Sequence, residues 1–352
     1  MHGSQLIEVP DDPEAFYEFA VQSGWTDGLP LIPPTASRVK RMLEETTLAA
    51  DAVVAIVPPS NLLATVGVIA ANAVMAGCRP EYLPVVIAAV DAVCDPAFDL
   101  YGIQATTAAL TPAVIVSGPA AQRLEINGGG LAFGHGSRSN ATIGRALRLV
   151  LLNVGGARPR EVDKATQGQP GTFTLCFTEN TPESPWKPFH VRRGFSEDSS
   201  VVTVIAVQSV LDVLDAASTT GLGLLRAFVS CIARSGTADV LIAGGPLIAF
   251  CPEHAQLLAR DGFDPATIQR FLYEHARVPI SHFSADNIEK YLKRRRPVWV
   301  YAEGSDTRIP LGDSADDYYI CVVGGPGPHS TVMSGAVESR PVSRLIFEKE
   351  NS

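Results

Sequence analysis

The chain has 352 residues, 46% hydrophobic and 18% charged, a globular balance with room for two domains or one duplicated domain. Its net charge of −9 is spread along the sequence and argues against nucleic acid as the main partner, because phosphate binding needs a basic face. Six cysteines are scattered without a Cys-x-x-Cys pair, so neither a disulfide scaffold nor a structural zinc site is expected.

The start, Met1-His2-Gly3-Ser4, is polar, and the apolar runs at 62–77 and 83–93 are broken by Gly, Asn, Cys and Pro. No signal peptide or membrane span is therefore expected, and a soluble protein of the reducing cytoplasm fits best. Asp11-Asp12-Pro13 opens an amphipathic helix reaching about Ser23. Prolines and glycines make 24–35 an ordered loop, after which Thr35 caps a short helix running to Glu45.

Val53–Val57 predicts a strand stopped by Pro58-Pro59, followed by an apolar helix from Leu62 to Gly77 and another from Pro80 to about Cys94. Val114-Ile115-Val116 predicts a buried strand ending in Ser117-Gly118-Pro119. A glycine-rich loop, Asn127 to Ser139, then delivers a helix over Asn140–Asn153. The Pro- and Gly-rich segment after it contains one strand near Thr172–Phe177.

The plan then recurs. Val201–Val207 predicts a strand, Gly221–Arg234 a helix, and Val240-Leu241-Ile242 a strand ending in Gly244-Gly245-Pro246; helices follow near 253–260 and 265–276. Asn140-Ala-Thr-Ile-Gly-Arg-Ala-Leu147 aligns with Pro265-Ala-Thr-Ile-Gln-Arg-Phe-Leu272, and the preceding Gly-Pro pairs lie at nearly matched distances upstream. These matches predict an α/β fold of internally duplicated strand–Gly-Pro–loop–helix units with a small N-terminal helical segment. The expected divisions are 1–50 (helices and loop), 51–157 (first repeat), 158–200 (crossing segment), 201–283 (second repeat) and 284–352 (C-terminal helix and strands). Ile320-Cys321-Val322-Val323-Gly324-Gly325-Pro326 echoes the strand ending once more. Lys293-Arg294-Arg295-Arg296 reads as cations at a helix C-terminus.

Three segments carry residue types suited to chemistry. In Gly134-His135-Gly136-Ser137-Arg138-Ser139-Asn140, glycines admit backbone N–H groups to a ligand; Ser137, Arg138, Asn140 and Arg145 add donors at a helix start. This is a candidate cradle for a carboxylate or phosphate, its alternative being a plain connector with a helix cap. It matches no nucleotide or dinucleotide fingerprint, and no cofactor is assigned. In Cys78-Arg79-Pro80-Glu81-Tyr82, a helix N-terminus and Arg79 would stabilise a thiolate, and Glu81 is an available acid or base, unless Cys78 is simply packed. In 179–190, Glu179 or Glu183 can pair with His190 for proton transfer, with Trp186 either at the site or pinning a surface loop. A metal reading would take His135, His190 and Glu179 as ligands.

Trp25-Thr-Asp-Gly-Leu-Pro30, Asn72-Ala-Val-Met-Ala-Gly-Cys-Arg-Pro-Glu-Tyr82, Asn140-Ala-Thr-Ile-Gly-Arg-Ala146 and Ser184-Pro-Trp186 together resemble a poorly characterised bacterial family. Its members occur beside, or fused to, proteins with a UGSC-type cysteine or selenocysteine motif. The resemblance spans residues 24 to about 335 and implies an enzyme component whose reactive thiol or selenol belongs to a partner, since this chain lacks Cys-Gly-Ser-Cys.

The leading expectation is an enzyme or catalytic subunit, forming a homo-oligomer and acting on a small anionic metabolite in a cleft between the two units. The anion would rest on Gly134, Gly136, Ser137, Arg138 and Asn140, with Arg79, Arg145 and Trp186 nearby. Cys78 would be nucleophile or thiol acid–base; His135, Glu81, Glu179 and His190 would move protons. The reaction classes that fit are lyase, hydrolase or thiol-assisted reductase. The alternatives are a non-catalytic subunit presenting substrate to a thiol-bearing partner, and the metal enzyme above.

Overall fold

The computed structural model describes residues 7–302, 307–335 and 338–349; the polar start Met1–Ser4 lies outside them. The strands are β1 (Val53–Val57), β2 (Leu62–Thr65), β3 (Thr111–Ser117), β4 (Cys176–Phe177), β5 (Val201–Leu214), β6 (Leu247–Phe250), β7 (Arg277–Pro279), β8 (Arg308–Pro310), β9 (Tyr319–Val322), β10 (His329–Gly335) and β11 (Val342–Leu345). With the helices between them they make an α/β protein. Among the described residues no helix is long and apolar enough to cross a membrane.

Seven strands form one mixed sheet in the order β4-β3-β5-β10-β6-β9, with β11 against β5. Outward from the antiparallel β5–β10 pair, each side has an antiparallel neighbour, β3 or β6, and then a parallel edge, β4 or β9. The two Ala-Thr-Ile helices, Arg138–Asn153 and Pro265–His275, lie in the connections from β3 to β4 and from β6 to β9.

Alternation along the strands sends successive side chains to opposite faces. Ile115, Val207, Leu247, Ala249, Cys321 and Met333 meet in one cluster on the concave face, so the sheet curls on itself. On the convex face, Val114, Val116 and Val204 pack under helices Val66–Ala76, Leu83–Val93 and Arg138–Asn153. Ile248, Phe250, Ile320 and Val332 pack under Gly221–Ile232, Pro252–Arg260 and Pro265–His275.

Curling brings the two edges together. The Asn180 N–H donates to Val322 O at 2.7 Å, the Val322 N–H to Glu179 Oε1 at 3.2 Å, and the Gly324 N–H to Gly128 O at 2.8 Å. Gly128 must be glycine, because a Cβ there would run into the carbonyl of Thr178.

Several elements differ from the sequence expectation. Leu62–Thr65 is not helical: the turn after Val57 folds it back as β2, Val57 opposite Leu62, and the helix waits for the Thr65 cap. Ala238–Ile242 is a helical turn, and the strand β6 follows Gly244-Gly245-Pro246 instead of preceding it. β5 runs to Leu214 because β10 supplies a partner for its second half.

Candidate functional site

A two-lobed cleft lies along the seam. The larger lobe, about 980 Å³, is bounded by Gly129-Gly130, Gly325-Pro326, Glu183 and the face of helix Pro252–Arg260 bearing Glu253, Gln256 and Arg260. The smaller lobe, about 470 Å³, is bounded by Gly118-Pro119, Glu179, His190, Glu197 and Asp198. Gly129, Asn180 and Pro182 border both. Both volumes suit a metabolite.

Glu179 follows β4 and is 4% exposed. Its Oε2 accepts the Phe189 N–H at 2.6 Å and its Oε1 accepts the Val322 N–H, while Arg192 Nη2 stands 3.6 Å away. Burial raises its pKa above the ordinary carboxylate value, only partly opposed by Arg192 and the two backbone donors. His190, 3% exposed, places Nε2 3.3 Å from the carbonyl of Glu197. A carbonyl only accepts, so Nε2 carries the proton of the neutral ring and Nδ1 keeps its lone pair. That Nδ1 is buried and has no partner among the described residues. Of the expected site residues, the structure brings Glu179 and His190 into one lobe.

The expected anion cradle is arranged otherwise. Ser137 caps helix Arg138–Asn153. Asn140 is buried and staples the glycine loop, its Oδ1 accepting the Asn127 N–H and its Nδ2 donating to Asn127 O and Ala132 O. Arg138 donates twice to Gly77 O, and Arg145 makes two 2.8 Å bonds to Asp27. With these donors committed inside the fold, the segment is a staple and not an open cradle. Gly134, His135 and Gly136 are exposed and border neither lobe.

Cys78 is buried, and its thiol donates to Thr142 O at 3.2 Å. Burial pushes it up to about 12 despite Thr142, Arg138 and Arg145, the reverse of the lowered value expected beside Arg79. Arg79 is exposed and Glu81 half-buried, their charged groups 4.0 Å apart. Trp186 is a pin: its Nε1 donates to Phe263 O at 3.1 Å and its ring meets Phe250 edge-on. Among the described residues no group of three or more His, Cys, Asp or Glu side chains is placed to hold a metal ion, so His135, His190 and Glu179 do not make one ligand set.

Three of the four motifs quoted above interlock. Besides Arg145–Asp27 and Cys78–Thr142, Asn153, further along the same helix as Arg145, donates from Nδ2 to Asn72 Oδ1 at 2.8 Å and to Trp25 O at 3.1 Å. Sequence reasoning missed Asn180, whose Nδ2 holds Gly324 O at 2.9 Å, and Arg192, whose Nη2 holds Ile320 O at 2.6 Å. Both lie beside a named candidate, and that adjacency was the available signal. It also gave no role to the helix near 253–260, although this helix forms one wall of the larger lobe. Comparison with family models, curated proteins and solved structures found no match to this chain.

Proposed function

We propose that the chain is an enzyme, or the catalytic subunit of one, acting by proton transfer on a small carboxylate-bearing metabolite held across the seam. The observation that carries this reading is the placement of Glu179 and His190 in one metabolite-sized lobe, with His190 Nδ1 unpartnered among the described residues. His190 then acts as base through Nδ1, and Glu179, whose protonated form burial favours, is the group able to return a proton. Among the described residues, the lining of that lobe holds Glu197 and Asp198 and no Lys or Arg, which disfavours an anion there. The carboxylate end belongs in the larger lobe, where Arg260, already bonded to Asp261 and Thr219 O, is the one Lys or Arg of the lining among the described residues, beside Glu183 and Glu253. Lyase and hydrolase chemistry fit such a pair. The mirrored strand pairing supports descent of the two halves from one repeated unit.

A panel of small mono- and dicarboxylates, scored by thermal shift and isothermal titration, tests this. A ligand of the proposed site weakens on Arg260→Ala; on His190→Asn it still binds while turnover stops. Stabilising ligands indifferent to substitutions in both lobes would overturn the reading.

Burial of Cys78 favours a second reading, a substrate-presenting subunit for a thiol- or selenol-bearing partner. Ligand binding without turnover in the isolated chain, restored by an added thiol protein, would select it.

A further inference from the structure

On the second half of the sheet, one cysteine has the surroundings that Cys78 lacks. Cys251 follows β6 directly and occupies the N-cap of the nine-residue helix Pro252–Arg260, where the helix dipole favours a thiolate. His254, one turn on, and Ser330 of β10 complete a cluster. Ser330 Oγ accepts the Cys251 N–H at 2.9 Å and lies 2.7 Å from His254 Nδ1. His254 Nε2 is 2.9 Å from the Asp215 carbonyl, which can only accept. Nε2 therefore keeps its proton, and Nδ1 is the nitrogen that exchanges one with Ser330.

Burial opposes charge on both the thiol and the imidazole. Hydrogen bonds with His254 and Ser330 nevertheless hold Cys251 below its ordinary value, and those with Cys251 and Asp215 hold His254 above its own. Burial instead pushes Cys78, Cys94, Cys176 and Cys321 upward. The other charged groups nearby are spoken for. The Glu253 carboxylate accepts the Gly327 N–H at 2.8 Å, Asp215 is bound by the Ser218 hydroxyl, and His329 pairs with Asp212 on the exposed side of β10 and β5.

We propose that Cys251 is a nucleophilic thiol site for soft electrophiles such as α,β-unsaturated carbonyl compounds, with Ser330 relaying its proton to His254. In the addition, the thiolate sulfur bonds to the β-carbon and the C=C π pair moves to the α-carbon and carbonyl. The imidazolium returns the proton through Ser330 to the α-carbon, so no oxidant or reductant is consumed. Cys251 is 1% exposed, and His254 lies under the turn after β5, whose Ala216, Ala217 and Thr219 are exposed. Labelling of so buried a thiol requires this turn to open.

The test is N-ethylmaleimide labelling of the full chain from pH 5.5 to 9, with peptide mass mapping. Cys251 is expected to react first, with a pH midpoint below the roughly 8.5 of a free cysteine. His254→Gln slows labelling at pH 7 about tenfold and moves the midpoint back toward that of free cysteine; Ser330→Ala shifts it less, in the same direction. Two results on the unsubstituted protein, independent of how any variant folds, would overturn the proposal. One is labelling of the half-buried Cys94 or Cys231 while Cys251 stays unmodified; the other is a Cys251 midpoint no lower than that of free cysteine.

Discussion

Arg145→Ala separates a structural arginine from a ligand-binding one. The side chains of Arg145 and Asp27 are 15% and 5% exposed, and the guanidinium bonds both Asp27 oxygens at 2.8 Å and the carbonyls of Leu29 and Pro30 at 3.1 and 3.0 Å. Truncation leaves a nearly buried carboxylate without its counter-ion, a loss of about 3–5 kcal/mol in comparable pairs. Asp27 keeps the Leu29 N–H, which places the expected loss near the lower end, about 3 kcal/mol. Urea unfolding followed by circular dichroism measures it. A double-mutant cycle with Asp27→Ala should return a coupling on the order of 2 kcal/mol. A loss under about 1 kcal/mol, well below the range for buried pairs, would refute the structural assignment if ligand affinity fell at the same time.

Gly128→Ala forces a methyl against the Thr178 carbonyl at the seam, so urea unfolding should show a loss of about 2–3 kcal/mol, with weakened ligand binding. Cys78→Ser should cost about 1 kcal/mol and leave ligand binding and turnover intact, because a hydroxyl can also donate to Thr142 O; abolished turnover in a folded variant would return Cys78 to the site. Burial raises Asp239 from 3.8 to about 7, so between those values the folded state holds a proton that the unfolded chain has lost, and stability falls as pH rises. Asp239→Asn removes this dependence: its stability relative to the unsubstituted protein should climb by roughly 2–3 kcal/mol from pH 5 to pH 8, and a flat difference would contradict the assigned shift.

The parts of this fold legible in the sequence are those whose neighbours are local. β3 shows as a continuous apolar run because both faces of the sheet are covered there. The caps at Asp12, Thr35 and Asp264 mark helix starts through their own side chains. Ala238–Ile242 misleads because its apolar run, Val240-Leu241-Ile242, is too short for a period that distinguishes strand from helix. β10, rich in Ser and Thr, is a strand because β5 and β6 flank it on both sides, a tertiary cause. Glu179 and His190 could be named from a loop crowded with ionisable groups. The seam could not: the Glu179–Val322 bond joins residues 143 apart in the chain. The same blindness misassigned Arg145, which looks like a free cation beside a glycine loop until Asp27, 118 residues away, is placed against it.

The central claim is that the seam cleft binds substrate with His190 as its base. The most direct test is a crystal structure of the protein with its best-stabilising carboxylate ligand. The account predicts an ionisable or carbonyl-adjacent group of the ligand about 3 Å from His190 Nδ1, with the carboxylate toward helix Pro252–Arg260. A ligand seated instead on the exposed Gly134–Gly136 segment, with the seam cleft empty, would contradict it.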